Sequence, residues 1–167
     1  MNLQIKQLQN QDTDIIASAF DEINWHKPVT QYRRYFSEQK NGKRLVIVAW
    51  YNKKFAGYLT IVWQSKYPAF KKSHTPEIVD LNVLPKYQQR KIGTTLMNEA
   101  EKIIAKKSKT AGIGVGLAPG YEAAQVMYAR RGYTPDGLGL TYKNKYLKYG
   151  QNVPIDDSLV LYFTKKL

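Results

Sequence analysis

No cysteine occurs among the 167 residues, which removes disulfides, thiolate nucleophiles, iron–sulfur clusters and cysteine zinc sites together. Histidine is nearly as scarce: only His26 and His74 are present, too few for a histidine-rich centre, so no metal is expected. The longest strongly apolar run, Leu45 to Tyr51, falls far short of the roughly 20 residues a membrane-spanning helix needs. The N-terminus, Met1-Asn2-Leu3-Gln4-Ile5-Lys6, lacks the basic-then-apolar order of a signal peptide. These absences together predict a cytoplasmic protein with no membrane partner. Acidic residues are also few, 13 Asp plus Glu against 26 Lys plus Arg, for a formal net charge of +13. A basic surface concentrates anions by steering, so an anionic partner or substrate is expected.

The residues that are present favour a packed core. Hydrophobic residues make up 43% and aromatics 13%, too rich for a disordered tail, and the length suits one domain spanning 1–167. Alternation predicts a strand over Asn2 to Gln9. A helix follows from Asp12 to Glu22, capped by Asp12 or Thr13, with Ile15, Ile16, Ala19 and Phe20 as its buried stripe. Tyr32, Tyr35 and Phe36 recur at helical spacing in a second helix, Thr30 to Lys40, stopped by Asn41-Gly42. Arg44 to Tyr51 and Phe55 to Gln64 flank a tight turn and read as a hairpin. Ser65 to Thr75 reads as a loop, Glu77 to Leu84 as a strand, Ile92 to Lys107 as an amphipathic helix, and Thr110 to Leu117 as a strand. Glu122 to Arg131 reads as a helix ended by Gly132, and Leu159 to Thr164 as a last strand. Tyr133 to Asp157 carries only short strand-like pieces around Leu140 to Tyr142. This order describes an α/β sandwich around a mixed sheet.

The chemistry concentrates between Glu77 and Met97. There a strand enters a short polar loop and then an amphipathic helix, so backbone N–H groups at the helix start lack intrahelical partners. The helix dipole adds about half a positive charge, and Arg90 and Lys91 add whole charges at the same point, which makes a cradle for a diphosphate. The run Gln88-Gln89-Arg90-Lys91-Ile92-Gly93 resembles the acetyl-coenzyme A binding motif of the GNAT superfamily of N-acetyltransferases: Gln or Arg, two residues, Gly, one residue, Gly or Ala. Lys91 stands where the first glycine belongs. Tyr121 to Tyr133, ending Tyr128-Ala129-Arg130-Arg131-Gly132-Tyr133, resembles the later helix of the same family, and the element order over residues 2 to 135 is similar too.

This resemblance implies a mostly antiparallel mixed sheet flanked by helices, with a splayed strand pair forming the cofactor cleft. It implies acetyl-CoA as co-substrate, no covalent enzyme intermediate, and a primary amine as acceptor: a small amine, an amino sugar, or a peptide or protein amine. Main-chain atoms of Leu81, Asn82 and Val83 would carry the pantetheine arm. Gln88, Gln89, Arg90, Lys91, Ile92, Gly93 and Thr94 would hold the diphosphate, and Tyr121 would touch the coenzyme. By the same resemblance Tyr128 would donate to the departing thiolate, and Glu77 would be the general base.

The need for a base is physical. A lysine-like amine with a pKa near 10.4 is neutral in only about one molecule in a few thousand at pH 7, an obstacle of about 4–5 kcal/mol. Asp80 is the second candidate. Strand alternation puts Glu77 and Asp80 on opposite faces unless the strand bulges. Each has a plain alternative: a solvated carboxylate for Glu77, a partly buried hydrogen-bonded one for Asp80. The plain alternative for Tyr128 is a core aromatic on an amphipathic helix. Trp25, His26, Tyr32, Trp63 and Tyr67 could line an acceptor pocket or simply pack. The scattered basic pairs read as solvated faces, and His26 and His74 as solvated loop residues.

A different class of function is a basic RNA- or ribosome-associated protein, possibly one acetylating an aminoacylated RNA. It rests on the aromatics interleaved with lysines in Lys143-Asn144-Lys145-Tyr146-Leu147-Lys148-Tyr149. A coenzyme-binding regulator without turnover is the third reading. The sequence leaves the oligomeric state open, a homodimer included.

Overall fold

The computed structural model describes residues 2–167; Met1, which begins the N-terminal run, lies outside the described residues. The chain groups into two compact units, Met1–Trp63 with Ile78–Ile103 and Gln64–Glu77 with Ile104–Leu167.

In the first unit, β1 (Leu3–Gln7), β2 (Arg44–Tyr51), β3 (Lys54–Val62) and β4 (Glu77–Val83) lie side by side in that order. The β2–β3 hairpin closes through Asn52 and Lys53, both left-handed (φ 48° and 65°), which matches the right-handed twist of the two strands. Helix α1 (Asp12–Asp21) buries Ile16, Ala17 and Phe20. Ile15, expected in that stripe, is instead 47% exposed, because the buried face runs through Ala17 and leaves Ile15 on the outer side. Gln11 occupies the cap position; the Asp12 carboxylate accepts from the Gln9 amide at 2.8 Å and the Thr13 hydroxyl donates to the Asn10 carbonyl at 2.8 Å. Helix α2 (Val29–Lys40) buries Tyr32 and Tyr35. These rings join Leu8, Phe20, Val46, Val48, Phe55, Tyr58 and Leu84 in one core, each large side chain contributing about 1.5–3 kcal/mol by leaving water.

Ser65 to Thr75 is not all loop. Pro68, whose fixed φ suits a first helical turn, opens a short helix α3 (Pro68–Ser73) that ends at left-handed His74. In the second unit the strand order is β5 (Thr110–Gly116), β8 (Leu159–Lys166), β6 (Thr134–Tyr142), β7 (Lys145–Tyr146), each strand antiparallel to the next. The turn-rich segment after Tyr133 thus contributes a nine-residue strand, interrupted in its pairing between Pro135 and Leu140. Here Tyr67 stacks on Tyr162 at 3.6 Å, with Phe70 edge-on to both. Tyr32 and Tyr67, considered above as pocket-lining residues, are fully buried core residues, whereas Trp25 is 47% exposed. Helices α4 (Ile92–Ala105) and α5 (Glu122–Arg130) complete the fold, α4 burying Ile92, Leu96, Met97, Ala100 and Ile104. No helix among the described residues is long and apolar enough to cross a membrane.

Candidate functional site

The junction between β4 and α4 is built from turn chemistry. Pro85–Tyr87 forms one 3₁₀ turn, with the Tyr87 amide bonded to the Leu84 carbonyl (2.8 Å) and the Gln88 amide to the Pro85 carbonyl (3.1 Å). Beyond it Gln89 and Lys91 both adopt φ 60°, flanking Arg90. Left-handed residues alternating with ordinary ones turn consecutive amides toward a common side, an arrangement that binds anions. The Thr95 amide and hydroxyl both donate to the Lys91 carbonyl, at 2.9 and 3.0 Å. The amides of Ile92, Gly93 and Thr94 therefore open the helix ahead of its first intrahelical bond. Ile92 is 1% exposed and pins the helix start to the core.

Lys91 thus takes the conformation that glycine takes most readily, at a cost of about 1–2 kcal/mol for a side-chain-bearing residue. The glycine missing from the motif is missing in identity but not in backbone shape. Arg90 is held in place: its guanidinium donates to the Tyr51 hydroxyl at 3.2 Å and lies 5.2 Å from that ring's centroid. Tyr51 in turn packs against Tyr87. Sequence reasoning missed Tyr51, whose only signal was an aromatic residue at the end of a hairpin strand. Gln88 Nε2 reaches back to the Val83 carbonyl at 3.3 Å.

Upstream, β4 is not a regular strand. Asp80 has φ 60°, so the strict alternation expected between Glu77 and Asp80 is broken at Asp80 itself. Its carboxylate accepts from Tyr58 (2.5 Å), Asn82 (2.7 Å), Lys27 (3.1 Å), Tyr35 (3.1 Å) and Gln31 (3.3 Å). Burial pulls its pKa upward, but the Lys27 charge and the Tyr58, Lys27 and Asn82 hydrogen bonds outweigh it, and the group stays below the ordinary aspartate range. Burial and then the Asp80 charge push Tyr58 up, and the same two causes raise Tyr35 to about 12. An ionised carboxylate so fully engaged is a poor proton acceptor. Asp80 is therefore a structural anion within this network.

Glu77 opens β4 and accepts from the Ser65 hydroxyl at 2.5 Å, while Ser65 Oγ accepts from the Tyr67 amide at 3.0 Å. In the second unit Tyr128 is 6% exposed on α5, with Tyr133 edge-on at 6.1 Å. Burial pushes its pKa upward, which keeps the phenol protonated as a hydrogen-bond donor. Tyr121 stands at the N-terminal cap of α5; its hydroxyl donates to Asp157 at 3.1 Å and its ring covers Gly116, where a Cβ would come within 2.6 Å. Gln88 to Thr94 are thus brought together at one turn with Arg90 and Lys91 at the helix start. Glu77 stands beside Ser65 at the start of β4, and Tyr121 and Tyr128 share α5, one at its cap and one within it. His26 and His74 are exposed. Among the described residues no group of three or more His, Asp or Glu could hold a metal.

No curated protein matches the sequence significantly. Solved structures similar to the chain include a ribosomal-protein-alanine N-acetyltransferase from Brucella melitensis, with 16% identity, TM-score 0.71, and coverage of 98% of this chain and 99% of that one. A PaiA N-acetyltransferase from Thermoplasma acidophilum in complex with coenzyme A shows 18% identity and TM-score 0.61, covering 100% of both chains. A chimeric spermidine N-acetyltransferase from Vibrio cholerae shows 13% identity and TM-score 0.70, covering 99% of this chain and 96% of that one. At these identities the likeness is one of fold. The family model for the acetyltransferase (GNAT) family matches residues 8–133, three-quarters of the sequence, and the chain belongs to that family.

Proposed function

We propose that the chain, working as a single transferase domain, moves the acetyl group of acetyl-CoA directly to a primary amine. The observation that carries this reading is the β4–α4 turn: two left-handed residues, the open first-turn amides of α4 and two cations in seven residues, a donor set suited to a diphosphate. Acetyl-CoA supplies the activated thioester. Gln88 to Thr94 grip its diphosphate, with the Arg90 guanidinium held by Tyr51 and the Lys91 ammonium added from the turn. The Leu81 to Val83 main chain lies along the pantetheine arm, and Tyr121 contributes at the edge of the coenzyme.

Glu77 takes the amine's proton, directly or through water, as the attack proceeds. Its bond from the neutral Ser65 hydroxyl supports this choice over Asp80, whose carboxylate is neutralised by Lys27. Tyr128, kept neutral by burial, hydrogen-bonds the departing thiolate; its phenol is the weaker acid, so stabilisation exceeds full proton transfer. The acceptor is a small-molecule or peptide amine, consistent with the alanine and spermidine named for the structural relatives, and no metal takes part. A cytoplasmic setting suits acetyl-CoA as co-substrate. Calorimetry with coenzyme A, followed by thiol release from acetyl-CoA over an amine panel, tests the proposal. Binding with amine-dependent release is the expected result; binding without release would make the chain a coenzyme-sensing regulator.

An RNA-associated role is the second reading. The second unit holds 13 Lys plus Arg against 5 Asp plus Glu, and the segment just after β7 exposes Tyr149 fully, next to Lys148. Steeply salt-dependent binding of RNA would favour it.

A further inference from the structure

Asp80 collects its five donors from four parts of the first unit. Lys27 comes from the segment joining α1 to α2, Gln31 and Tyr35 from α2, Tyr58 from β3, and Asn82 from β4 itself. The Lys27 ammonium is itself enclosed, with the ring centroids of Trp25, Phe20 and Tyr58 at 4.8, 5.3 and 5.8 Å. Both members of the ion pair are largely shielded from water, Lys27 at 12% and Asp80 at 18% side-chain exposure. All this converges on a residue whose backbone is left-handed in mid-strand, a conformation that side chains other than glycine's oppose, aspartate's less than most. Just beyond, β3 presses on the same stretch: a Cβ on Gly57 would come within 2.5 Å of the Asn82 carbonyl. Strained backbone persists only where its surroundings over-determine it, and here they do so beside the main chain read above as the pantetheine track.

We infer that Asp80 is a positioning residue: clamped by Lys27, Tyr58 and Asn82, its carboxylate holds a left-handed kink in β4 that presents the Leu81–Val83 main chain to the pantetheine arm. The inference rests on the transferase reading above, but the kink and its clamp are properties of the ligand-free protein. A carboxylate in this role need not change protonation during turnover. It acts through backbone direction alone.

The test compares Lys27→Met/Asp80→Gly with Lys27→Met/Asp80→Ala. Each removes anion and cation together, so neither leaves a buried charge uncompensated. They differ by one methyl group, which opposes positive φ in alanine and not in glycine. Two quantities are read: the Kd for coenzyme A by calorimetry, and amide hydrogen exchange at Leu81 to Val83 without ligand. The glycine variant is expected to bind within about twofold of wild type and the alanine variant at least about fivefold more weakly, a ratio equivalent to ~1 kcal/mol. Exchange at residues 81–83 should quicken in the alanine variant alone. Equal behaviour of the two variants, whether both intact or both impaired, overturns the inference. Lys27→Met alone takes away the cationic arm of the clamp without adding backbone strain, so faster exchange there supports the role and unchanged exchange refutes it. If wild type binds no coenzyme A, the transferase reading fails, and the exchange comparison alone then decides whether Asp80 holds the kink.

Discussion

Replacing Lys91 by glycine separates the shape of the β4–α4 turn from its charge. At φ 60° the lysine backbone carries about 1–2 kcal/mol of left-handed strain that glycine does not. Glycine's extra freedom in the unfolded chain returns about 0.5–1 kcal/mol of that gain. The net expectation is a stabilisation of about 0.5–1 kcal/mol, or roughly 1–4 °C in Tm for a chain of this size. Binding should move the other way. Lys91 is exposed, so its contribution to holding a diphosphate belongs at the weak end for charge pairs, ~1 kcal/mol or about fivefold in Kd at low salt. The difference should shrink as salt shortens the Debye length toward about 8 Å and below. Lys91→Ala is the matched control: it loses the same charge but keeps the strain, so it should bind weakly with no gain in Tm. Differential scanning calorimetry and coenzyme A titrations at two salt concentrations measure all of this. A lower Tm for Lys91→Gly would refute the strain argument, and unchanged affinity at low salt would show that the ammonium does not reach the diphosphate.

Four further outcomes follow from the same geometry. Tyr128→Phe should lower kcat at least about tenfold while leaving coenzyme A affinity nearly intact, since only a transition-state hydrogen bond is lost; unchanged turnover would end its acid role. Glu77→Gln should cut kcat with amine acceptors by about 10²-fold or more with little change in the KM for acetyl-CoA, and equal activity would place the base elsewhere. Gly57→Ala forces a Cβ to within 2.5 Å of the Asn82 carbonyl, so urea unfolding should show about 1–3 kcal/mol of destabilisation, and coenzyme A binding should weaken with it. Because the folded pKa of Asp80 lies below its unfolded value, its stabilising contribution is complete above the unfolded pKa, near 3.9, and disappears as pH falls through the lower folded pKa. Asp80→Asn should therefore flatten the acid limb of a stability-versus-pH curve; an unchanged limb would show that the network does not favour the ionised form.

Much of the fold was legible because its signals are local. The Asn52-Lys53 turn between two β-branched runs specified the hairpin, and the apolar spacing of Leu96, Met97, Ala100 and Ile104 specified α4. Pro68 concealed α3, since a proline that ends one helix can open another and only packing decides which. Ile15 pointed outward because the choice between adjacent helical faces depends on what lies opposite, which periodicity cannot see. Within the candidate site, the turn from Gln88 to Thr94 was legible as a polar run between a strand and an amphipathic helix, a succession that leaves first-turn amides open. That Lys91 would adopt glycine's backbone was not, since a left-handed φ is imposed by closure of the whole turn.

Sequence by itself determined the class of chemistry open to this chain. Lacking cysteine and nearly lacking histidine, it has no thiolate and no histidine-rich centre to offer, while clustered cations at a helix start favour an anionic carrier. Tertiary structure decided which groups are committed elsewhere. Lys27 and Asp80, 53 residues apart, meet at 3.1 Å, and that pairing holds the Asp80 carboxylate as an anchored anion. Tyr51 and Arg90, 39 residues apart, meet at 3.2 Å, which fixes a cation that the sequence only positioned approximately. The physical reason is common to both: the ionisation and orientation of a side chain are set by neighbours within a few ångströms, and those neighbours are gathered by the fold and not by adjacency along the chain.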